Sequence, residues 1–511
     1  MLSIVKSMSL HGLKGYLIEV QVDVSGGLPC WEVVGLPDVS VKESKERVKT
    51  AIKNSEIDLK SRRIIINLAP ADTKKEGSLF DLPIAIGILM ANEETNNKNL
   101  EDTVFIGELS LDGSVNKVNG ILPMCIEALN LGIKKVILPK ENAKEAAIVK
   151  GIEVLGVESL KQVIDYLNNN LEIKKEEIDL DEYFKVNCNY NIDFSEVKGQ
   201  ENIKRALEIS AAGGHNCLLI GSPGSGKTMM AKRIPTILPN LTFEEALEIT
   251  KIHSVAGTLP NNMPIITTRP FRSPHHTVSS VSLVGGGKIP KPGEISLAHY
   301  GVLFLDELPE FNKQTLEVMR GPLEDRTVTI SRVNATLTYP SNFMLIASMN
   351  PCPCGYYGSE EKECTCSETS ITRYMGRISG PLLDRIDIHI EVTPVKYQKL
   401  DSQEKIETSS EIRERVNKAR LIQLNRYKEH GIYSNAELTP KLIDKYCKLD
   451  KQCKKILQES FEKLGLSARA YGRILKVART IADLDGKEKI NVNHLAEAIQ
   501  YRSLDRKYWK T

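Results

Sequence analysis

The sequence predicts an α/β protein of several domains, and three observations carry that expectation. Residues 1 to about 167 alternate strand-like apolar runs with helix-like ones. Further along, CLLIGSPGSGKT reads as a strand entering a glycine loop and then a helix, and VLFLDEL and FMLIASMN are two more apolar runs ending in polar residues. Beyond about residue 395 the composition turns to helix formers with repeated apolar faces. A chain of 511 residues accommodates roughly two to four domains.

In the first domain, 1–167, YLIEVQVDV, RIIINLAP, VFIGELSL and KKVILP are the expected strands, with PIAIGILMAN and LPMCIEALNLG as helices between them. NNNLEIKKEEIDLDEYFKVNCNYN is charge-dense and lacks periodicity, so 168–192 is expected to be a linker. The second domain, 193–395, should hold a parallel sheet, since apolar strands that each end in a polar residue bring functional groups to one carboxyl edge. SEIRERVNKARLIQLNRYK and YGRILKVARTIADL make 396–511 a helical third domain.

Hydrophobic residues are 41% of the chain and charged ones 26%, the balance of a soluble globular protein. A net charge of +2, from 68 basic and 66 acidic residues, excludes a globally cationic nucleic-acid binder but leaves room for a local basic surface. No run approaches the roughly 20 apolar residues of a membrane span. The opening MLSIVKSMSLHGLKGYLIEV has too short an apolar run for a signal-peptide core, so a cytoplasmic location without membrane partners is expected. Disulfides are disfavoured there, and the scattered Cys30, Cys125, Cys188, Cys217, Cys447 and Cys453 should be buried thiols.

GSPGSGKT, which is Gly221, Ser222, Pro223, Gly224, Ser225, Gly226, Lys227 and Thr228, fits the phosphate-loop pattern G-x-x-x-x-G-K-[ST] in its required context. The glycines let backbone N–H groups wrap the phosphates of ATP, Lys227 brings charge to the β and γ groups, and the Thr228 hydroxyl can ligate Mg2+. In GVLFLDEL the strand ends in two carboxylates. Asp306 is expected to complete the magnesium shell, and Glu307 to polarise the water that attacks the γ-phosphate. Asn350, ending the next strand, would orient that water through its amide.

These residues resemble the AAA+ ATPases, in the branch of magnesium chelatase motor subunits and MCM helicases, and within it the YifB/ComM family of Mg-chelatase-like bacterial proteins. FSEVKGQENIKRALEISAAGGHN, RSPHHTVSSVSLVGGGKIPKPGEISLAHYGVLFLDELPEF, ASMNPCPCG and SGPLLDRIDIHI carry the resemblance, which covers essentially the whole chain. It implies a helical lid for the carboxy-terminal region, Asn350 as sensor 1, Arg385 of LLDRID as an arginine finger on a neighbouring subunit's nucleotide, and Arg469 of SARAYGR as sensor 2. Arg473, one helical turn beyond, competes for that last role. An intradomain pair of Arg385 with Asp384 or Asp387 is the structural alternative to a finger.

FIGELSLDGSVNKVNGILPMCIEALNLGIKKVILPKEN is similar to the Lon protease domain, whose Ser-Lys pair hydrolyses peptides. Alignment of KEGSLFDL and NGIL puts Leu79 at the nucleophile and Leu122 at the lysine, and neither can attack a carbonyl or accept a proton. Ser78 lies one position from the first site, and Lys117 lies five residues before the second. The fold is expected to persist without its catalytic dyad.

Two inserts flank the acidic strand. One carries Lys288 and Lys291 among flexible glycines, and RTVTISRVNATLTYPSNF reads as a hairpin with Arg332 near its tip. By analogy with MCM-type motors, these cations would contact DNA phosphates without sequence preference, against the alternative of solvated loop charge. His275 and His276 lack a third ligand nearby and are expected to be hydrogen-bonded structural groups. Cys352, Cys354, Cys364 and Cys366 form C-x-C, a nine-residue loop and C-x-C, four soft ligands for a closed structural Zn2+ site. Four free thiols are the alternative, because C-x-C is tighter than the commoner C-x-x-C.

The resulting expectation is a homohexameric, ATP-hydrolysing AAA+ DNA motor, acting on single-stranded or branched DNA. The resemblance implies branch migration in recombination, including integration of transforming DNA, with recombination proteins as partners. A chelatase-type motor remodelling a protein partner and an ATP-dependent protease are the rival readings.

Overall fold

The computed structural model describes residues 1–59, 62–95, 100–186, 190–260, 263–287, 290–332, 335–359, 362–395, 406–464 and 468–509. The chain divides into two compact units, Met1–Val186 with Ala246–Ile266, and Asn187–Glu245 with Thr267–Thr511. Among the described residues no helix is long and apolar enough to cross a membrane.

The first unit is built on a mixed seven-stranded sheet in the order Cys30–Val34, Arg63–Ala69, Lys14–Ser25, Leu2–His11, Thr103–Phe105, Lys135–Pro139, Glu153–Val157. Leu2–His11 and Lys14–Ser25 form an antiparallel hairpin. In the second of these strands Ile18, Val20, Val22 and Val24 alternate inward, so one face is apolar. Against that hairpin packs Asp81–Ala91, every residue of which is buried; beyond Asp81, which pairs with Arg47, the helix is apolar all round, as a buried helix is expected to be. Asp38 caps Val39–Asn54 and Ser159 caps Leu160–Leu167 through side-chain oxygens. Within the expected linker, Leu180–Val186 is a short helix.

Ala246–Ile266 lies in the stretch read from sequence as part of the 193–395 block, yet it groups with the first unit. A buried carboxylate explains the attachment. Glu145, 5% exposed, accepts from the Ser254 hydroxyl and from Leu122 N (3.0 Å), and the Ser254 carbonyl accepts from Gly120 N at 3.1 Å. Such long-range polar satisfaction leaves no periodic trace in sequence.

The second unit contains a five-stranded sheet in the order Phe271–Arg272, Val302–Leu305, Met344–Met349, Cys217–Gly221, Ile388–Val392. Every neighbouring pair is parallel. The three central strands are buried throughout, as strands covered on both faces must be. Parallel direction puts Gly221, Asp306 and Asn350 at one carboxyl edge. The carboxy-terminal region is helical, with Ser409–Tyr427 opened by a Thr408–Glu411 capping box. Buried Ile412, Val416, Ile474, Val477 and Leu495 share a hydrophobic core with Leu219, Phe304 and Ile346, which makes sheet and helices one unit. The expected hairpin is present as Thr327–Arg332 paired with Ala335–Pro340, Arg332 facing Ala335 in the last pair.

Candidate functional site

The phosphate loop leaves strand Cys217–Gly221 through positive φ at Gly224 (77°) and Gly226 (90°), a path that a side chain would strain. Lys227 then opens helix Lys227–Arg233. Its ammonium donates to the carbonyls of Gly221 (2.7 Å) and Ser222 (2.9 Å) and to Asn350 Oδ1 (3.2 Å). Burial pulls the Lys227 pKa down, and Asp306 and Glu307 oppose that shift. Thr228 Oγ1 donates to Asp306 Oδ2 at 2.7 Å, and the Ser348 hydroxyl donates to the other carboxylate oxygen. Lys227 and Thr228, Asp306 and Asn350, three places distant in sequence, therefore meet at the sheet edge. The Thr228 and Asp306 oxygens are hard donors that converge as Mg2+ requires.

Glu307, beside Asp306, is the more exposed of the two carboxylates. Its φ of 54° is left-handed, its side chain is 57% exposed, and His276 Nδ1 lies 3.8 Å from its carboxylate. The His276 ring also lies 4.1 Å from that of His275, tilted by 35°, and His275 bonds Thr277 Oγ1 at 2.9 Å. Among the described residues, the four-cysteine cluster is the one group of three or more side chains arranged to hold a metal.

Arg385 pairs with Glu324, and its NH1 donates to Pro381 O at 2.7 Å. The alternative partners read from sequence, Asp384 and Asp387, instead receive Arg469 and Arg473. Arg469 donates to Asp384 at 3.1 Å, while Arg473 lies 3.4 Å from Asp387 and 3.9 Å from Asp384. Arg469 is largely exposed and Arg473 mostly covered. Asp387 also meets His215 Nδ1 at 3.3 Å, and the other ring nitrogen of His215 bonds Thr480 Oγ1 at 2.7 Å. Burial pushes the Asp387 pKa up, but the His215 hydrogen bond and the charges of His215, Arg473 and Lys476 outweigh it and hold the group at about 2.

Sequence reasoning missed three neighbours. Gln200, at φ 60°, donates to Ser225 O at 2.8 Å and so steadies the phosphate loop. Ser348 holds Asp306, and His276 faces Glu307. Gln200 and Ser348 fall inside or beside the signature segments, but no spacing rule marks either one.

The four clustered sulfurs lie within 4.8 Å of one another. Cys352 Sγ is 3.3 Å from Cys354 Sγ and 3.7 Å from Cys364 Sγ, and the last two are 3.6 Å apart. A tetrahedral zinc with bonds of about 2.3 Å separates its sulfurs by about 3.8 Å, so the donor set fits that ion. Backbone amides of Cys354 and Tyr357 point at Cys366 Sγ (3.4 Å) and Cys352 Sγ (3.3 Å), which favours thiolates. Of the scattered cysteines, Cys125, Cys217, Cys447 and Cys453 are buried as expected. Cys30 is only half-buried, because its strand is the sheet's edge, and Cys188 lies outside the described residues.

Gly285–Gly286 pairs with Lys291–Pro292, and the Tyr339 hydroxyl of the Thr327–Pro340 hairpin donates to Pro290 O at 2.8 Å, so the two inserts pack together. Lys291 and Arg332 are both exposed, while Lys288 lies outside the described residues. In the first unit the Ser78 hydroxyl donates to Glu108, and Leu122 is buried with its amide on Glu145. At these positions the described residues place a serine on a carboxylate and a buried leucine.

Three sequence families match the chain: "Magnesium chelatase, subunit ChlI" over residues 193–400, "Subunit ChlI of Mg-chelatase" over 20–142, and "Magnesium chelatase, subunit ChlI C-terminal" over 406–502. Competence protein ComM of Haemophilus influenzae is 43% identical over 507 residues, covering 99% of this chain and 98% of that protein. YifB of Escherichia coli is also 43% identical over 507 residues, with the same coverage. Lon protease 2 of Bacillus subtilis is 29% identical over 205 residues, 34% of this chain and 36% of that protein. Near-complete coverage at this identity, together with a phosphate loop and acidic strand at the carboxyl edge of a parallel sheet, places the chain in the YifB/ComM family of magnesium-chelatase-like AAA+ proteins.

Proposed function

We propose that the chain is a cytoplasmic ATP hydrolase that assembles as a homohexameric ring and moves DNA, with branch migration in recombination and transformation as its task. The observation that carries the reading is the meeting of Lys227, Thr228, Asp306 and Asn350 at one sheet edge.

When nucleotide enters, Lys227 exchanges its loop carbonyls for the β- and γ-phosphates. Thr228 and Asp306 would hold Mg2+, which would supply charge neutralisation for those phosphates. Asn350 orients the attacking water and Glu307 takes its proton. The new bond forms from the water oxygen to the γ-phosphorus as the bond to the bridging oxygen breaks, leaving ADP and phosphate. Arg385 of an adjoining subunit stabilises the charge on the transferred group, which requires it to leave Glu324. Arg469 or Arg473 reports nucleotide state to the helical lid. Lys288, Lys291 and Arg332 contact DNA phosphates, and the first unit serves as a structural or DNA-guiding module. Support for the DNA task comes from the family resemblance and the competence protein among the relatives.

The deciding experiment is ATP-driven migration of a fluorescent branched DNA, with Glu307→Gln as the control. DNA-stimulated ATPase activity accompanies the proposed task, whereas ATPase activity indifferent to DNA favours a chelatase-type motor acting on a protein.

A further inference from the structure

The four-cysteine cluster touches the phosphate loop. It begins two residues after Asn350, and its first turn is closed by the Gly355 amide donating to the Cys352 carbonyl at 3.0 Å. This turn carries two of the four sulfurs and presents Gly355 to Pro223, the third residue of the loop. A Cβ on Gly355 would stand 2.5 Å from Pro223 Cδ and 2.7 Å from Pro223 Cγ, and Gly355 has a φ of 86°. Glycine is therefore required twice, by the backbone and by the approach.

The loop needs such a neighbour. Two of its residues sit at positive φ, and a Cβ added at Gly224 would meet nothing within 4 Å. Gln200 holds the loop at Ser225, beyond the tip. Lys227 holds the carbonyls of Gly221 and Ser222, but its ammonium is the group that must turn to the phosphates. Once it turns, the contact with Gly355 remains on the Pro223 side. Cys352 is fully buried and Gly355 is packed against Pro223, and bonds between the sulfurs and a metal would add to the rigidity of the turn.

We propose that the four-cysteine knuckle is a positioning element for the nucleotide: with its sulfurs joined through zinc, the turn Cys352–Gly355 braces Pro223 in the conformation that receives phosphate. The proposal rests on the nucleotide reading of Gly221–Thr228 and adds to it a dependence of nucleotide affinity on an element that touches no phosphate.

The test is titration of the full-length protein with a fluorescent ATP analogue and Mg2+, with zinc content and thermal melting recorded for each variant. Gly355→Ala should keep about one zinc per chain and weaken nucleotide binding about tenfold, the usual effect of overpacking a tight contact. Gly358→Ala is the control. It carries the same kind of backbone strain at φ 74° within the same insert, but its Cβ would meet only the end of Lys507, at 3.8 Å, so its affinity should equal that of the wild type. Pro223→Ala removes the two clashing carbons, and added to Gly355→Ala it should recover part of the loss, a coupling that a general folding defect would not produce. Cys364→Ser should lose both zinc and affinity.

Equal affinity in wild type and Gly355→Ala, or equal losses in Gly355→Ala and Gly358→Ala, overturns the brace. Undiminished affinity in zinc-free Cys364→Ser overturns its dependence on the knuckle. Failure of the wild type to bind nucleotide overturns the nucleotide reading and the brace together, and is distinguished by that from binding that the variants leave untouched.

Discussion

Two adjacent carboxylates take different surroundings because the backbone turns between them. Asp306 accepts from Thr228 and Ser348, whereas Glu307, at φ 54°, is exposed with His276 Nδ1 3.8 Å away. A non-glycine residue held there stores about 1 kcal/mol or more, which the surrounding sheet must sustain. Glu307→Gln keeps the shape and removes the proposed base, so ATP turnover should fall at least about 100-fold while nucleotide binding persists; unchanged hydrolysis would remove Glu307 from the role. Asp387 gives a prediction in pH. Its folded pKa of about 2 lies below the roughly 3.9 of an unfolded aspartate, so the stabilisation is complete above about pH 5 and is lost as pH falls toward 2. Asp387→Asn should cost about 2 kcal/mol at pH 7 and flatten the decline of stability between pH 5 and 3, read by urea unfolding.

At the scale of elements, the hairpin Thr327–Arg332 with Ala335–Pro340 was legible from alternating residues around a polar turn, since strand period and turn chemistry are both local. Its packing on the glycine insert through Tyr339 and Pro290 was not, because that contact joins positions 49 residues apart. If Arg332 meets DNA, Arg332→Ala should weaken binding uniformly across sequences and lower the slope of log affinity against log salt by about 1. A slope unchanged from wild type would return Arg332 to the solvent. For the cysteine cluster, spacing alone named the four candidate ligands, while the gathering of their sulfurs within 4.8 Å of one another comes from the fold.

For the whole molecule, the position of Arg385 matters most. Within one chain it is occupied by Glu324, so its proposed service to a neighbour's nucleotide needs an assembled ring. Arg385→Ala should cut ATPase activity by about 1,000-fold. Mixing it with an equally inactive Lys227→Ala chain should restore part of the activity if the finger acts in trans; no recovery in mixed assemblies would confine Arg385 to its own subunit.

What the sequence determined by itself is the pattern that short spacing encodes: the phosphate loop, the acidic pair at a strand end and the four-cysteine spacing. Each depends on residues close together in the chain, where backbone geometry and residue type suffice. Tertiary structure alone decided which of these groups meet. Asn350 reaches Lys227 across 123 positions, Gly355 meets Pro223, Glu324 claims Arg385, and Ala246–Ile266 joins the first unit. Strand order, close packing and the need to satisfy buried polar groups set those encounters, and none of the three has a period that a sequence displays.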